Sequence, residues 1–205
     1  MAEESPVKKD KMDRDAWIEA ATEVLGEEGL SGVRVEVIAK RFGITKGSFY
    51  WHFKDRQDLL DGVLAAWKDG RIKDILKQTE AEPGQEANRT QHVIEVYSAA
   101  RSRKGIQIEL AVRDWARRDA AAAAVVEEVD RIRLECAGKL FLASGCSQQE
   151  AATRSLLLYA YVFGQSLMSG APPGVDLAAC KTRIKEIIAG RAPAEASAAT
   201  SPENK

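Results

Sequence analysis

Apolar residues recur along this chain at spacings of three and four, and almost nothing alternates with the two-residue period of a strand. The pattern predicts a succession of helices. The first runs from about 13 to 28, with Trp17, Ala20, Ala21, Val24 and Leu25 on its inner stripe and Gly29 ending it. The second covers about 33–42, with Val35, Ile38, Ala39 and Phe42 inward, and Gly43 then turns the chain sharply. A short third helix spans about 46–52, with Thr45 as its expected N-cap. The fourth follows Asp55, an expected cap, carries Asp58 at the positive end of its dipole, and continues to about 79.

The break Glu82-Pro83-Gly84-Gln85 separates these from further helices expected near 86–102, 105–117, 120–143, 148–169 and 176–189. Asp119 can cap the alanine-rich run that follows it, and Ser147 and Glu150 have capping-box spacing. The segment SGAPPG, 169–174, interrupts the chain before the last helix. Residues 1–12 are polar and charged and read as a flexible arm. Residues 191–205 are rich in Ala, Pro and Ser and read as a disordered tail.

The 205 residues are 45% hydrophobic and 30% charged, as in an ordinary globular chain, with a formal net charge of −1. A protein that coats nucleic acid indiscriminately is usually far more basic, so any positive surface must be local. Between Arg34 and Arg56 the cations are Arg34, Lys40, Arg41, Lys46, Lys54 and Arg56, against Glu36 and Asp55; six minus two leaves +4. Cys136, Cys146 and Cys180 are scattered, which points away from a disulfide framework or a thiolate metal site. The start has no apolar signal region, and no apolar run reaches the ~20 residues that cross a bilayer, so a cytoplasmic protein without membrane contact is expected. The only histidines are His52 and His92, and no nucleophile elbow, zinc-helix, dinucleotide or P-loop motif occurs. Neither enzymatic activity, nor a cofactor, nor a metal is expected.

Residues 33–53, VRVEVIAKRFGITKGSFYWHF, form two short helical patterns joined at a glycine, the signature of a helix-turn-helix whose second helix can enter a major groove. Phe49 and Phe53 are four apart and can anchor the inner face of that second helix, while cations, hydroxyls and aromatics point outward. The order Ile38-Ala39, Gly43-Ile44-Thr45-Lys46-Gly47-Ser48-Phe49-Tyr50, then His52-Phe53, followed by KDRQDLL, resembles the DNA-binding domain of the tetracycline-repressor (TetR) family over roughly residues 13–65. RDWARRD, further along, also resembles some members.

The resemblance implies an all-α protein of about nine helices. A three-helix DNA-binding domain would cover 13–65, and a helical ligand-binding and dimerisation domain 66–190. It implies a transcriptional regulator, by family default a repressor, released from a palindromic operator in double-stranded DNA by an unidentified small-molecule effector. An all-helical dimeric interaction protein without ligand control is the alternative. Lys46 would reach base edges, favouring guanine O6 and N7, and Gly47 would let the backbone approach DNA. Thr45, Ser48, Tyr50 and His52 would contact phosphates. Arg34 stands where the family usually has Ser or Thr and would add an ionic contact beside Lys54. Arg56 opens the fourth helix, whose N-terminal donors can face a phosphate. Trp51 either touches a thymine methyl or packs against the neighbouring helix.

The helix at 148–169 is apolar nearly all round and must be buried on more than one side. Leu156, Tyr159, Val162 and Phe163 with Ile184, Ile187 and Ile188 of the last helix are therefore expected at a homodimer interface, and the same two helices pair across the axis in the family. An effector pocket, implied by the resemblance alone, would be lined by Trp67, Tyr97, Leu110, Trp115, Tyr159 and Phe163.

Overall fold

The computed structural model describes residues 13–82, 84–98, 103–168 and 173–190, and every regular element among them is a helix. In chain order these are α1 (Arg14–Glu28), α2 (Val35–Arg41), α3 (Lys46–Phe49), α4 (Arg56–Thr79), α5 (Glu86–Ser98), α6 (Arg103–Ala116), α7 (Ala120–Ala143), α8 (Gln148–Leu167) and α9 (Leu177–Ala189). The arm at 1–12, the tail at 191–205 and the expected end of the fifth helix at 99–102 lie outside the described residues.

The chain divides into two compact units. The first contains 13–70 with 103–127, the second 71–98 with 128–190. The first is larger than the expected DNA-binding segment because α6 packs along α1. Gly26 permits this approach, since a Cβ there would stand 2.8 Å from Ile108 Cγ1. Asp13 starts α1 by accepting from the Ala16 amide at 2.8 Å, which satisfies one of the helix's orphan donors. The inner stripe read from the sequence is buried in full: Trp17, Ala20, Ala21, Val24 and Leu25.

In the second unit α5 packs on α8 and α9. Its core joins Val93 and Ile94 of α5, Ala137, Leu140 and Phe141 of α7, Ala151, Leu158, Tyr159 and Val162 of α8, and Ile188 of α9. Ser147 caps α8 through the Glu150 amide at 3.2 Å. The reciprocal half of the expected box is replaced, because the Glu150 carboxylate takes the Arg154 Nε at 2.6 Å. Arg154 also donates to the Ala189 carbonyl at 2.7 Å, which ties α8 to the C-terminus of α9. No described helix is long and apolar enough to cross a membrane.

Two expectations need correction. Phe42, read as inward, is 37% exposed, with the Arg41 guanidinium 5.8 Å from its ring; it lies one residue past α2, where the helical phase no longer directs it to the core. Val33, ahead of α2, is fully buried instead. Of the expected interface set, Tyr159, Val162 and Ile188 belong to the chain's own core, whereas Leu156 is 59% and Ile187 49% exposed, and Phe163 and Ile184 are half-buried.

Phe49, with no exposed surface, contacts Trp17 and Phe53 and should be a sensitive position of the first unit. Phe49→Ala is expected to cost about 3–5 kcal/mol in urea denaturation.

Candidate nucleic-acid interface

The interface is built on the turn after α2. Gly43 adopts φ +66°, a left-handed conformation that strains other residues, and the Ile44 amide then bonds the Ala39 carbonyl at 2.9 Å. This reverses the chain and starts α3 at Lys46. Thr45 occupies the N-cap position, but its side chain makes no capping bond; instead the Ser48 hydroxyl donates to the Thr45 carbonyl at 2.7 Å. The α-helix closes after one turn, at Phe49, and the chain continues through a turn in which the His52 and Phe53 amides both bond the Phe49 carbonyl.

Four residues cannot hold a helix by themselves, because nucleation costs more than one turn returns. The aromatic cluster holds this one. Phe49 lies edge-on to Trp17 at 5.3 Å and stacks on Phe53 at 5.2 Å, and the Arg14 guanidinium covers the Phe53 ring at 4.7 Å. The opposite face is open. Trp51 is 87% and Tyr50 65% exposed, so Trp51 is not packed against a neighbouring helix. Arg34, Thr45, Lys46, Gly47 and Lys54 are exposed, and Ser48 and His52 half-buried. Among the described residues nothing demands a glycine at 47: a Cβ there would have only Thr45 Oγ1 within reach, at 4.0 Å.

The cations divide into two groups. Arg41 turns back to α1, 2.6 Å from Glu27 and 3.5 Å from Glu23. Its hydrogen bond holds the Glu27 carboxyl below its ordinary value. Arg56 donates through Nε to the Val33 carbonyl at 2.6 Å and through NH2 to the Leu30 carbonyl at 2.8 Å. This arginine therefore clamps the loop before α2 onto the start of α4. Asp55 caps α4 through the Asp58 amide at 3.0 Å, and Asp58 accepts from the Lys54 amide at 3.0 Å and from Arg14 at 3.0 Å. The Lys54 amide, followed by the Arg14 charge, lowers the Asp58 carboxyl below its usual range. One backbone donor of the first turn of α4, the Asp58 amide, and the Lys54 amide ahead of the helix are thus engaged within the protein. Glu36, which composition counted only as an offsetting charge, brings its carboxylate to 4.0 Å from Lys46 Nζ.

Residues 18–63 match the family model for bacterial regulatory proteins of the tetR family. They form a tetR-family domain. The tetracycline repressor class C of Escherichia coli is 38% identical over 56 residues, which cover 27% of this chain and 26% of that repressor. The chain therefore matches only about a quarter of the length of this curated relative. The fold likeness extends further. A transcriptional regulator of Rhodococcus sp. Rha1 matches with a TM-score of 0.63 at 22% identity, over 86% of this chain and 94% of that one. Another, from Saccharomonospora viridis, was solved in complex with choline; it matches with a TM-score of 0.68 at 17% identity, over 85% of this chain and 94% of that one.

Outside the tetR-family domain the expected pocket residues do not fall into one unit. Trp67 and Trp115 are buried and Leu110 half-buried in the first; Tyr159, buried, and Phe163, half-buried, belong to the second, where the Arg133 guanidinium lies 5.5 Å from the Phe163 ring. The side chain of Tyr97 is outside the described residues. A cleft of about 350 Å³ in the second unit is lined by Ala81, Glu82, Gln85, Asn88, Arg89 and His92 and includes none of that set. Among the described residues no group of three or more His, Cys, Asp or Glu is placed to hold a metal ion.

Removing the clamp in Arg56→Ala should destabilise the first unit by roughly 1–3 kcal/mol in chemical denaturation, with Arg56→Lys recovering only part, since one ammonium cannot span both carbonyls. Full stability with weakened DNA affinity would return Arg56 to the surface contacts. Acid should weaken the unit as well. Glu27 and Asp58 are held below their ordinary values of 4.5 and 3.8, so their stabilisation is complete above those values and disappears as pH falls through the lower folded-state ones. Melting temperatures from pH 6 down to about pH 3 should decline, and less steeply for Glu27→Gln.

Proposed function

We propose that this protein is a sequence-specific, DNA-binding transcriptional regulator that works as a homodimer, represses from a palindromic operator, and is released by a small molecule. The observation that carries the DNA-binding reading is the two-sided segment of α3 and the turn after it, residues 45–54, locked inward by Phe49 and Phe53 and presenting cations, hydroxyls and two exposed aromatics outward. Lys46 reads a base edge, and Trp51 offers an apolar surface for a thymine methyl. Arg34, Thr45, Ser48, Tyr50, His52 and Lys54 position the helix on phosphates. Ser48 must release the Thr45 carbonyl to donate to DNA. The bare backbone at Gly47 leaves room for a close approach. The proposed role goes with a cytoplasmic location.

Dimerisation is supported by apolar surface that the chain leaves uncovered: Leu156, Leu157 and Leu167 on α8, with Leu177 and Ile187 on α9. The names of the repressors that share the domain, and the choline-bound fold neighbour, support repression and small-molecule control. An effector acts only by binding one of two conformations better.

Selection of duplex fragments by the purified chain tests the reading; enrichment of a two-fold-symmetric site is expected, and indifference to sequence at moderate salt would refute it. Lys46→Ala should lower operator affinity about 10- to 100-fold with little effect on random DNA. Arg34→Ala should weaken both and reduce the log–log salt slope by about 0.9. Leu156→Glu with Ile187→Glu should convert the dimer to a 22.4 kDa monomer in light scattering.

A further inference from the structure

Glu36 is the second residue of α2, and its side chain is exposed amid a segment of net charge +4. Its carboxylate stands 4.0 Å from Nζ of Lys46, the first residue of α3. Both side chains are more than half exposed, and an ion pair of that kind adds little to stability. On a surface facing DNA an acid is also repelled by phosphates, so a purely electrostatic grip would be stronger without it. What a carboxylate can do in a major groove is accept a hydrogen bond from a base. The donors there are the amino groups of cytosine and adenine, and the adenine amino group has the N7 acceptor beside it, which repels a carboxylate. Cytosine N4 is the base donor that fits. The 4.0 Å between Glu36 and Lys46 is close to the ~3.4 Å step between successive base pairs.

Resting on the functional reading above, we infer that Glu36 is a specificity-determining residue: it accepts from the N4 amino group of a cytosine in the operator half-site, next to the guanine taken by Lys46. The acid sharpens discrimination in two ways. It gains a hydrogen bond at the right base pair, and it adds repulsion wherever that bond is absent, which lowers affinity for random sequence. The ion pair with Lys46 holds both groups toward the same base step before DNA arrives.

The test is selection from a randomised duplex library by the full chain and by Glu36→Ala, Glu36→Gln and Lys46→Ala, followed by competition binding on the selected site and on random duplex. The wild type should enrich a cytosine adjoining the guanine whose enrichment Lys46→Ala loses. Glu36→Ala should lose about tenfold discrimination at that cytosine alone and bind random duplex more tightly than wild type. Glu36→Gln should shift the preference there toward adenine, which a glutamine pairs through N6 and N7. Thermal melting of both variants should match the wild type. If Glu36→Ala enriches the same bases at every position, or gains no affinity for random duplex, the inference is overturned while the functional reading stands. A wild-type chain that enriches nothing overturns both.

Discussion

The contact between Phe49 and Trp17 is the constraint on which the rest of the first unit depends. A one-turn helix has no stability of its own, and α3 owes its place to two phenylalanines inserted among α1 side chains. Because Phe49 has no exposed surface, the rotation of α3 about its axis is set from within. That rotation decides which residues face outward, so a hydrophobic contact determines the orientation of a polar surface. Gly43 contributes the sharp turn that brings α3 to this position, and Gly26 lets α6 support α1 from behind.

Electrostatics in the same segment serves two purposes that composition alone merges. Arg41 and Arg56 are exposed but have guanidinium groups engaged by partners in the protein, one by the acids of α1 and one by backbone carbonyls. A guanidinium suits both tasks because its fork can satisfy two acceptors at once. Lysines and Arg34 remain on the surface, and Glu36 stands among them. The local excess of +4 thus overstates the charge available to a partner.

Much of this architecture was legible in the sequence. The inner stripe of α1, the turn at Gly43, the anchoring pair Phe49 and Phe53, and the caps at Asp55, Asp119 and Ser147 all follow from periodicity and from side chains that match unsatisfied backbone groups. What was not legible depends on tertiary neighbours. The hydrogen bonds of Arg56 could not be read because the carbonyls of Leu30 and Val33 are distant in sequence, and Phe42 read as core because periodicity does not show where a helix ends. Thr45 has the right residue type for a side-chain cap, yet the Ser48 amide, a donor such a cap would take, bonds the Thr45 backbone carbonyl at 3.1 Å. The apolar set on α8 and α9 was visible as a whole, but hydrophobicity does not say which members face their own chain. Tyr159, Val162 and Ile188 do, and Leu156 and Ile187 do not.

That division bears on how the protein would read DNA. α8 is apolar on two sides, and packing with α5 and α9 accounts for the side carrying Leu158, Tyr159 and Val162. Leu156 and Leu157 are exposed on α8, and Leu177 and Ile187 on α9. A second copy of the chain would cover this surface with an identical one, as two-fold interfaces do. A helix as short as α3 contacts too few base pairs for an operator to be distinguished among a genome's competing sites. Two such helices, fixed about 34–36 Å apart by a shared interface, make the second contact intramolecular and combine their discrimination. On this reading the leucines left bare on α8 and the glutamate beside Lys46 address the same need, since one doubles the number of bases read and the other sharpens each reading.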